Sequence, residues 1–294
     1  MTIIAGFKCH EGVVLCADTQ ETIGHAKKHA PKLIFRPIDL SSDENYLAAA
    51  FCGAGDGPFI DKLVDTAWKS AQPAASLDEA CGNIENSIKN HYEEFGNIYQ
   101  QGACPEVQLI YGVKMDGDSR LFDAFGPLVN EKESCDSGGV GAYMADFLSS
   151  RMYAPYLDIH QCVILAAYIL FQTKEHVDGC GGDSHIAILR NTGSSGPVDL
   201  RRVDLISNLL KIADVHISRT LLDIANLDLT KEEFKKNMEM VADVIDTFRE
   251  AKREELNQSV LRWHAFERLL GGEPVTRDSF GLPIDSDVGD GGKD

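Results

Sequence analysis

The sequence predicts a four-layer αββα sandwich of the α+β class, two antiparallel sheets packed together between outer layers of helices. Three observations predict it. Short β-branched runs come in hairpin-like pairs, each group of strands is followed by two stretches of helical periodicity, and one further apolar strand follows the second helical pair. The 294 residues, 44% of them hydrophobic, suffice for a core of that size.

Residues 2–9 and 12–17 are apolar runs joined at His10-Glu11-Gly12, a hairpin that begins almost at the first residue. Residues 32–38 and 46–52 read as two more strands, and the second enters the turn-rich segment Gly53-Ala54-Gly55-Asp56-Gly57-Pro58. Helical spacing governs 59–70 and then 77–99, where Ser76-Leu77-Asp78-Glu79 supplies a capping-box start. Residues 107–113 and 120–125 form a second hairpin around Asp116-Gly117-Asp118. Gly138-Gly139-Val140-Gly141 opens a helix to about residue 152, and another helix covers 159–175. After Gly179-Cys180-Gly181-Gly182, residues 184–189 are a buried-type strand with 198–203 as its expected hairpin partner. The predicted core domain is therefore 2–203. Residues 204–270, amphipathic and rich in Glu, Lys and Arg, are expected to form a helical extension; 271–294, rich in Gly, Asp and Pro, an acidic disordered tail.

Composition excludes some functions. A net charge of −18, from 28 basic against 46 acidic residues, offers no basic field for phosphates, so nucleic acid is not an expected partner. The eight cysteines are scattered without a C-x-x-C pair, as in reduced cytosolic thiols, and indicate neither a zinc site nor a disulfide framework. The first residues lack a basic n-region, and the longest apolar run, 162–171, is far shorter than the roughly 20 residues that span a bilayer. A cytoplasmic location and no membrane association are the expectation.

Chemistry enters at Thr2. Aminopeptidases remove an initial Met before a small residue, which would leave Thr2 with a γ-hydroxyl and a free α-amine. Such an amine has a reference pKa of about 7.7 to 8.0, close enough to neutrality to act as general base toward its own hydroxyl. The frame around it is specific. Thr2-Ile3-Ile4-Ala5-Gly6-Phe7 followed by Gly12-Val13-Val14-Leu15-Cys16-Ala17-Asp18-Thr19 resembles the opening of proteasome β-type subunits and their bacterial homologues, in which a threonine begins one strand and G-V-V-L-A-A-D-T closes the next.

That resemblance implies a threonine endopeptidase and assigns residues to it. Asp18 matches the family's aspartate and Lys32, at the start of a strand, its lysine; an ammonium beside the hydroxyl lowers its pKa, and the carboxylate orients the ammonium. The spacing between them is shorter than the family pattern, which keeps Lys27 and Lys28 as alternatives. Gly53 matches the glycine whose N–H stabilises the oxyanion, and Phe51 the position that floors the S1 pocket. By residue type alone Ser137 reads as a helix N-cap, whereas the resemblance matches it to a serine that bonds the α-amine. The last element departs from D-x-x-S-G-G: Val177 and Cys180 stand at the aspartate and serine positions, so Asp178 is taken as the auxiliary acid, with Asp183 and His176 as rivals. A thiol would replace a serine's hydrogen bonds poorly. Cys180 with His185 could also be read as a cysteine nucleophile and its base.

The resemblance covers about residues 2–203 and implies polypeptide substrates, no cofactor, and a self-compartmentalised homo-oligomeric ring, with room for an ATP-driven unfoldase partner. Two alternatives stay open: an amidohydrolase of the same mechanism acting on a small amide, and a non-catalytic ring or scaffold subunit.

Overall fold

The computed structural model describes residues 2–23, 26–37, 46–98 and 105–256. Strands β1 (Ile4–Cys9) and β2 (Gly12–Asp18) form the opening hairpin, paired from Ile4↔Ala17 to Cys9↔Gly12. A two-stranded ribbon, β3 (Gln20–Ile23) and β4 (Ala26–His29), follows. Then β5 (Leu33–Pro37), β6 (Ala48–Ala54), β7 (Gln108–Met115), β8 (Asp118–Phe125) and β9 (Leu128–Lys132) run as an antiparallel meander in that spatial order. The first hairpin is extended by β10 (Cys135–Gly138), β11 (Ser184–Arg190) and β12 (Gly196–Pro197) into a sheet of order β10-β1-β2-β11-β12.

The two five-stranded sheets lie face to face. Every residue of β2 and of β6 is buried, as central strands covered on both sides must be. Gly6 permits the close approach: a Cβ there would lie 2.7 Å from Leu121 and 2.8 Å from Ile110 of the opposite sheet.

Helices α1 (Gly57–Ala71) and α2 (Leu77–Ile98) cover the meander, packing Leu63, Ala67, Ile84 and Ile88 against Phe51, Leu109 and Tyr111. The α2 start is capped as predicted from its sequence, with Ser76 Oγ accepting Glu79 N–H at 3.2 Å, while the Glu79 carboxylate accepts Ala75 N–H at 2.8 Å. Helices α3 (Ala142–Met152) and α4 (Ile159–His176) cover the other sheet, with Ala166, Ile169 and Leu170 against Ile3, Phe7 and Val14. Each Leu, Ile, Val or Phe side chain among these, fully buried, contributes about 1.5–3 kcal/mol. Layers of helix, sheet, sheet and helix are the sandwich that the sequence predicts.

Three elements differ from expectation. Residues 198–203 do not form a long strand: Asp199 caps helix α5 (Leu200–Asp223) by accepting Arg201 N–H at 2.8 Å, and Val203 and Ile206, one helical turn apart, enter the core beside α4. The glycine-rich segment before α3 is preceded by strand β10, so Ser137 lies in a sheet, and the N-cap of α3 is Gly141. The ribbon β3–β4 and the edge strand β9 are polar and lack the apolar alternation that marks a half-buried strand.

Of the expected extension, α5 and α6 (Lys231–Leu256) form a helical pair. Thr230 and Glu233 cap α6 reciprocally, Thr230 N–H donating to Glu233 Oε2 at 2.9 Å and Glu233 N–H to Thr230 Oγ1 at 3.3 Å. Residues 257–270 and the predicted tail, 271–294, lie outside the described residues. No helix among the described residues is long and apolar enough to cross a membrane.

Candidate active site

Thr2 sits at the mouth of the sheet, just before β1, where Ile4 pairs with Ala17 on one side and Gly138 on the other. It is 6% exposed. Its carbonyl accepts the Gly141 N–H at 3.1 Å. Gly139 lies against the same carbonyl with φ +80°, and any Cβ at that position would collide with the Thr2 oxygen. The double glycine therefore serves two needs at once, a left-handed backbone and a close approach.

Asp18 ends β2 and is completely buried. A buried carboxylate is tolerable when its lone pairs are met, and here they are. Oδ1 accepts Ile3 N–H at 3.2 Å and the Lys32 ammonium at 2.7 Å, and Oδ2 accepts Gly181 N–H at 2.9 Å. Lys32, its side chain 9% exposed, also donates to the Gln20 carbonyl. Lys28 instead pairs with Glu21 across the β3–β4 ribbon at 3.0 Å, so among the three candidate lysines Lys32 is the one on Asp18. The Ile3 contact ties this charge pair to the residue following Thr2.

Ser137, on β10 opposite Ala5, is buried beside the start of the chain. Its hydroxyl donates to Asp146 Oδ1 of α3 at 2.5 Å, and its amide donates to Asp136 Oδ1 at 2.8 Å. Gln108 braces the same corner, its Oε1 accepting Gly139 N–H at 3.1 Å and its Nε2 donating to Ser137 O at 3.3 Å. Asp146 and Gln108 were not among the sequence candidates. Asp146 lies one turn into a helix otherwise identified by its apolar positions, and no local motif links it to Ser137.

Three expected residues are placed differently. Gly53 N–H donates to Lys32 O at 3.1 Å, one residue beyond the Leu33↔Cys52 end of the β5–β6 pairing, so the donor expected for an oxyanion is engaged by the backbone. Phe51 is 1% exposed and stacks on Tyr111 at 5.5 Å within the core under α1 and α2, where it presents no surface to a substrate. Asp178 is exposed on the turn after α4, which aims Cys180 inward instead.

Cys180 lies close to the start of the chain: a Cβ on Gly141 would stand 3.2 Å from its sulfur and 2.8 Å from Ile3 Cβ. Burial pushes its thiol up to about 11, with the Asp18 charge adding and Lys32 opposing. A neutral thiol of that kind is no nucleophile near neutrality. The neighbouring Asp183 joins the loop to the ribbon, its N–H donating to Thr19 Oγ1 at 2.7 Å, with its carboxylate 3.9 Å from His29 Nδ1. Among the described residues no cluster of three or more His, Cys, Asp or Glu side chains is arranged to hold a metal ion.

No protein-family model matches the chain, and no curated protein matches it. Solved structures do. A Gly-1 mutant of Anbu from Hyphomicrobium sp. strain MC1 superimposes with a TM-score of 0.60 at 14% identity, over 74% of this chain and 97% of that one. Anbu from Yersinia bercovieri, described as an ancestral beta-subunit, gives 0.59 at 14% identity with the same coverages. Anbu from the Hyphomicrobium strain gives 0.58 at 15%. These matches correct the assignment to the proteasome β-type family that the opening motif suggested, because the Anbu proteins are proteasome-like but form a distinct group. At such identity the likeness establishes the fold alone, a sandwich of two antiparallel sheets between layers of helices that this chain shares with the Anbu structures.

Proposed function

We propose that this chain is a threonine-type amide hydrolase that cleaves peptide bonds through Thr2 after removal of Met1. The observation that carries the reading is the buried Lys32–Asp18 pair at 2.7 Å, anchored to Ile3 N–H. A buried ion pair is weak as a stability device, whereas a fixed ammonium beside a hydroxyl nucleophile has a chemical use.

In this mechanism the Thr2 hydroxyl attacks the scissile carbonyl and its proton passes to the α-amine. Lys32 favours the developing alkoxide, and Asp18 keeps the ammonium oriented. The α-amine then returns the proton to the departing amine, and water releases the acyl-enzyme by the same route in reverse. The Ser137 hydroxyl, already polarised by Asp146, supports the α-amine. No metal or organic cofactor is needed for these steps. On this reading the chain acts on polypeptides as a subunit of a homo-oligomeric ring, an arrangement supported by the description of the Yersinia protein as a beta-subunit; an ATP-driven unfoldase would be its natural feeder.

The test is the intact mass of the purified protein before and after a peptide epoxyketone, which closes a ring on a hydroxyl and an adjacent free amine. Loss of Met1 followed by one adduct per chain, absent in Thr2→Ala, is the expected outcome. Retained Met1 and no adduct would overturn it. A second reading, a non-catalytic subunit, draws on one observation, the engagement of Gly53 N–H by Lys32 O.

A further inference from the structure

Strand β10 is an edge of its sheet, with β1 on one side and, among the described residues, no strand on the other. Its last residue, Gly138, faces Ile4 of β1 across the ladder. On the open side one side chain takes the place of a neighbouring strand. Gln108, the first residue of β7 in the opposite sheet, accepts Gly139 N–H on Oε1 at 3.1 Å and donates from Nε2 to Ser137 O at 3.3 Å. Along an extended chain, groups two residues apart point the same way, so a single carboxamide meets both as a paired peptide group would. Gly138 lies between the two bonds and tolerates no side chain, since a Cβ there would stand 2.6 Å from Gln108 Cδ. The Gln108 backbone is held on both sides, paired with Ala54 of β6 and Phe125 of β8.

We propose that Gln108 is the positioning residue of the Thr2 site: its carboxamide fixes the Ser137–Gly139 segment and, through it, the Thr2 carbonyl against the end of β6. The inference rests on the hydrolase reading given above. Gly139 lies against the Thr2 carbonyl and Gly141 N–H donates to it at 3.1 Å, so the segment that Gln108 holds is the one that holds Thr2. Ser137, whose hydroxyl is assigned to the α-amine, has its own carbonyl on the same carboxamide. At the other end of the linkage, a Cβ on Gly139 would lie 3.4 Å from the Cβ of Ala54, the register partner of Gln108. Gln108 acts through this segment and not on the reacting atoms. A misplacement of about 1 Å at a reacting group costs on the order of 10²-fold in rate.

A carboxamide suits the position because it donates at one end and accepts at the other. Glutamate has the same shape, but its ionised carboxylate only accepts, and one oxygen would face the Ser137 carbonyl. Protonation restores a donor there. In Gln108→Glu the contact is therefore broken while the carboxyl is ionised and re-formed as pH falls toward its titration, about 4.3 in an open peptide and raised here by partial burial and the facing carbonyl. The acids of this corner, Asp136 and Asp146, push it the same way, with Lys132 on Asp136 and the freed α-amine opposing. Gln108→Met keeps the length of the side chain and loses both bonds at every pH.

The experiment measures the maximal rate of epoxyketone labelling at Thr2, at saturating reagent, for wild type and both variants between about pH 8 and about pH 5. Near the upper end both variants should label roughly 10²-fold more slowly than wild type, with the half-saturating reagent concentration unchanged. Toward the lower end the ratio of Gln108→Glu to wild type should climb back toward one, while that of Gln108→Met stays flat. Wild-type rates in both variants, or a Gln108→Glu ratio that does not move with pH, would overturn this inference alone. Wild-type protein that takes up no epoxyketone would overturn the hydrolase reading and this inference with it. Where a variant fails to fold, hydrogen exchange at the wild-type Gly139 amide decides: slow exchange supports the Gln108 bond, and exchange as fast as that of an open strand edge refutes it.

Discussion

The Lys32 ammonium stands 2.7 Å from Asp18 Oδ1, with Lys32 at the threshold of one sheet and Asp18 at the end of a strand in the other. The β3–β4 ribbon is the piece of chain that separates the two residues in sequence and returns the second to the first.

Lys32→Ala leaves a fully buried carboxylate without its counter-ion. Breaking a buried pair by deleting one partner typically costs about 3–5 kcal/mol, so a urea denaturation midpoint should fall by a margin measurable in any assay of folding. Epoxyketone labelling at Thr2 should disappear even where the variant is folded. A variant labelled at the wild-type rate would remove Lys32 from the proposed chemistry. Lys28→Ala, which loses its contact with Glu21, should label normally.

Gly139→Ala is the sharpest test of the Thr2 clamp. The new methyl group must enter both a left-handed conformation and the space of the Thr2 carbonyl oxygen. The conformational part costs roughly 1–3 kcal/mol, and the displaced carbonyl must lose or lengthen its bond from Gly141. Labelling should slow sharply while the circular dichroism of the sandwich stays that of the wild type.

Ser137→Ala removes the donor to Asp146, an exposed acid that water can satisfy in its place. A stability loss of about 1 kcal/mol is expected. The labelling rate should fall by a larger factor, roughly 10²-fold if the hydroxyl assists proton transfer at the α-amine. Equal small effects on both would assign the serine to packing.

His185 gives a pH signature. Burial lowers its pKa, with Asp183 opposing. Above the ordinary histidine range both folded and unfolded states hold it neutral, and its contribution to stability is complete. As pH falls, the unfolded chain takes up the proton first, so stability drops between the ordinary value and the lowered one. His185→Gln should flatten that part of a melting-temperature profile and leave the neutral range almost unchanged.

The parts of the fold visible in the sequence were those whose chemistry is local. β-Branched runs around Glu11-Gly12 mark the first hairpin, and Ser76 with Glu79 marks the start of α2. Residues 198–203 suggest a strand because a short apolar run has no period of its own; Asp199 as an N-cap and the burial of Val203 and Ile206 one turn apart decide for helix. At the site, Asp18 and Lys32 were legible through their frame, whereas Gln108 and Asp146 act across the sandwich and have no local signature. Phe51 was assigned to a pocket by analogy, but strand alternation and the Tyr111 stack place it in the core.

Because Asp18 belongs to one sheet and Lys32, through its carbonyl bond to Gly53, to the other, the charge pair is a gauge of the distance between sheets. Any loosening of the central layer, however remote, would part the two charges before it melted a strand. On the proposed mechanism, chemistry at Thr2 would then report the integrity of the whole sandwich, and a damaged molecule would fall silent while still looking folded.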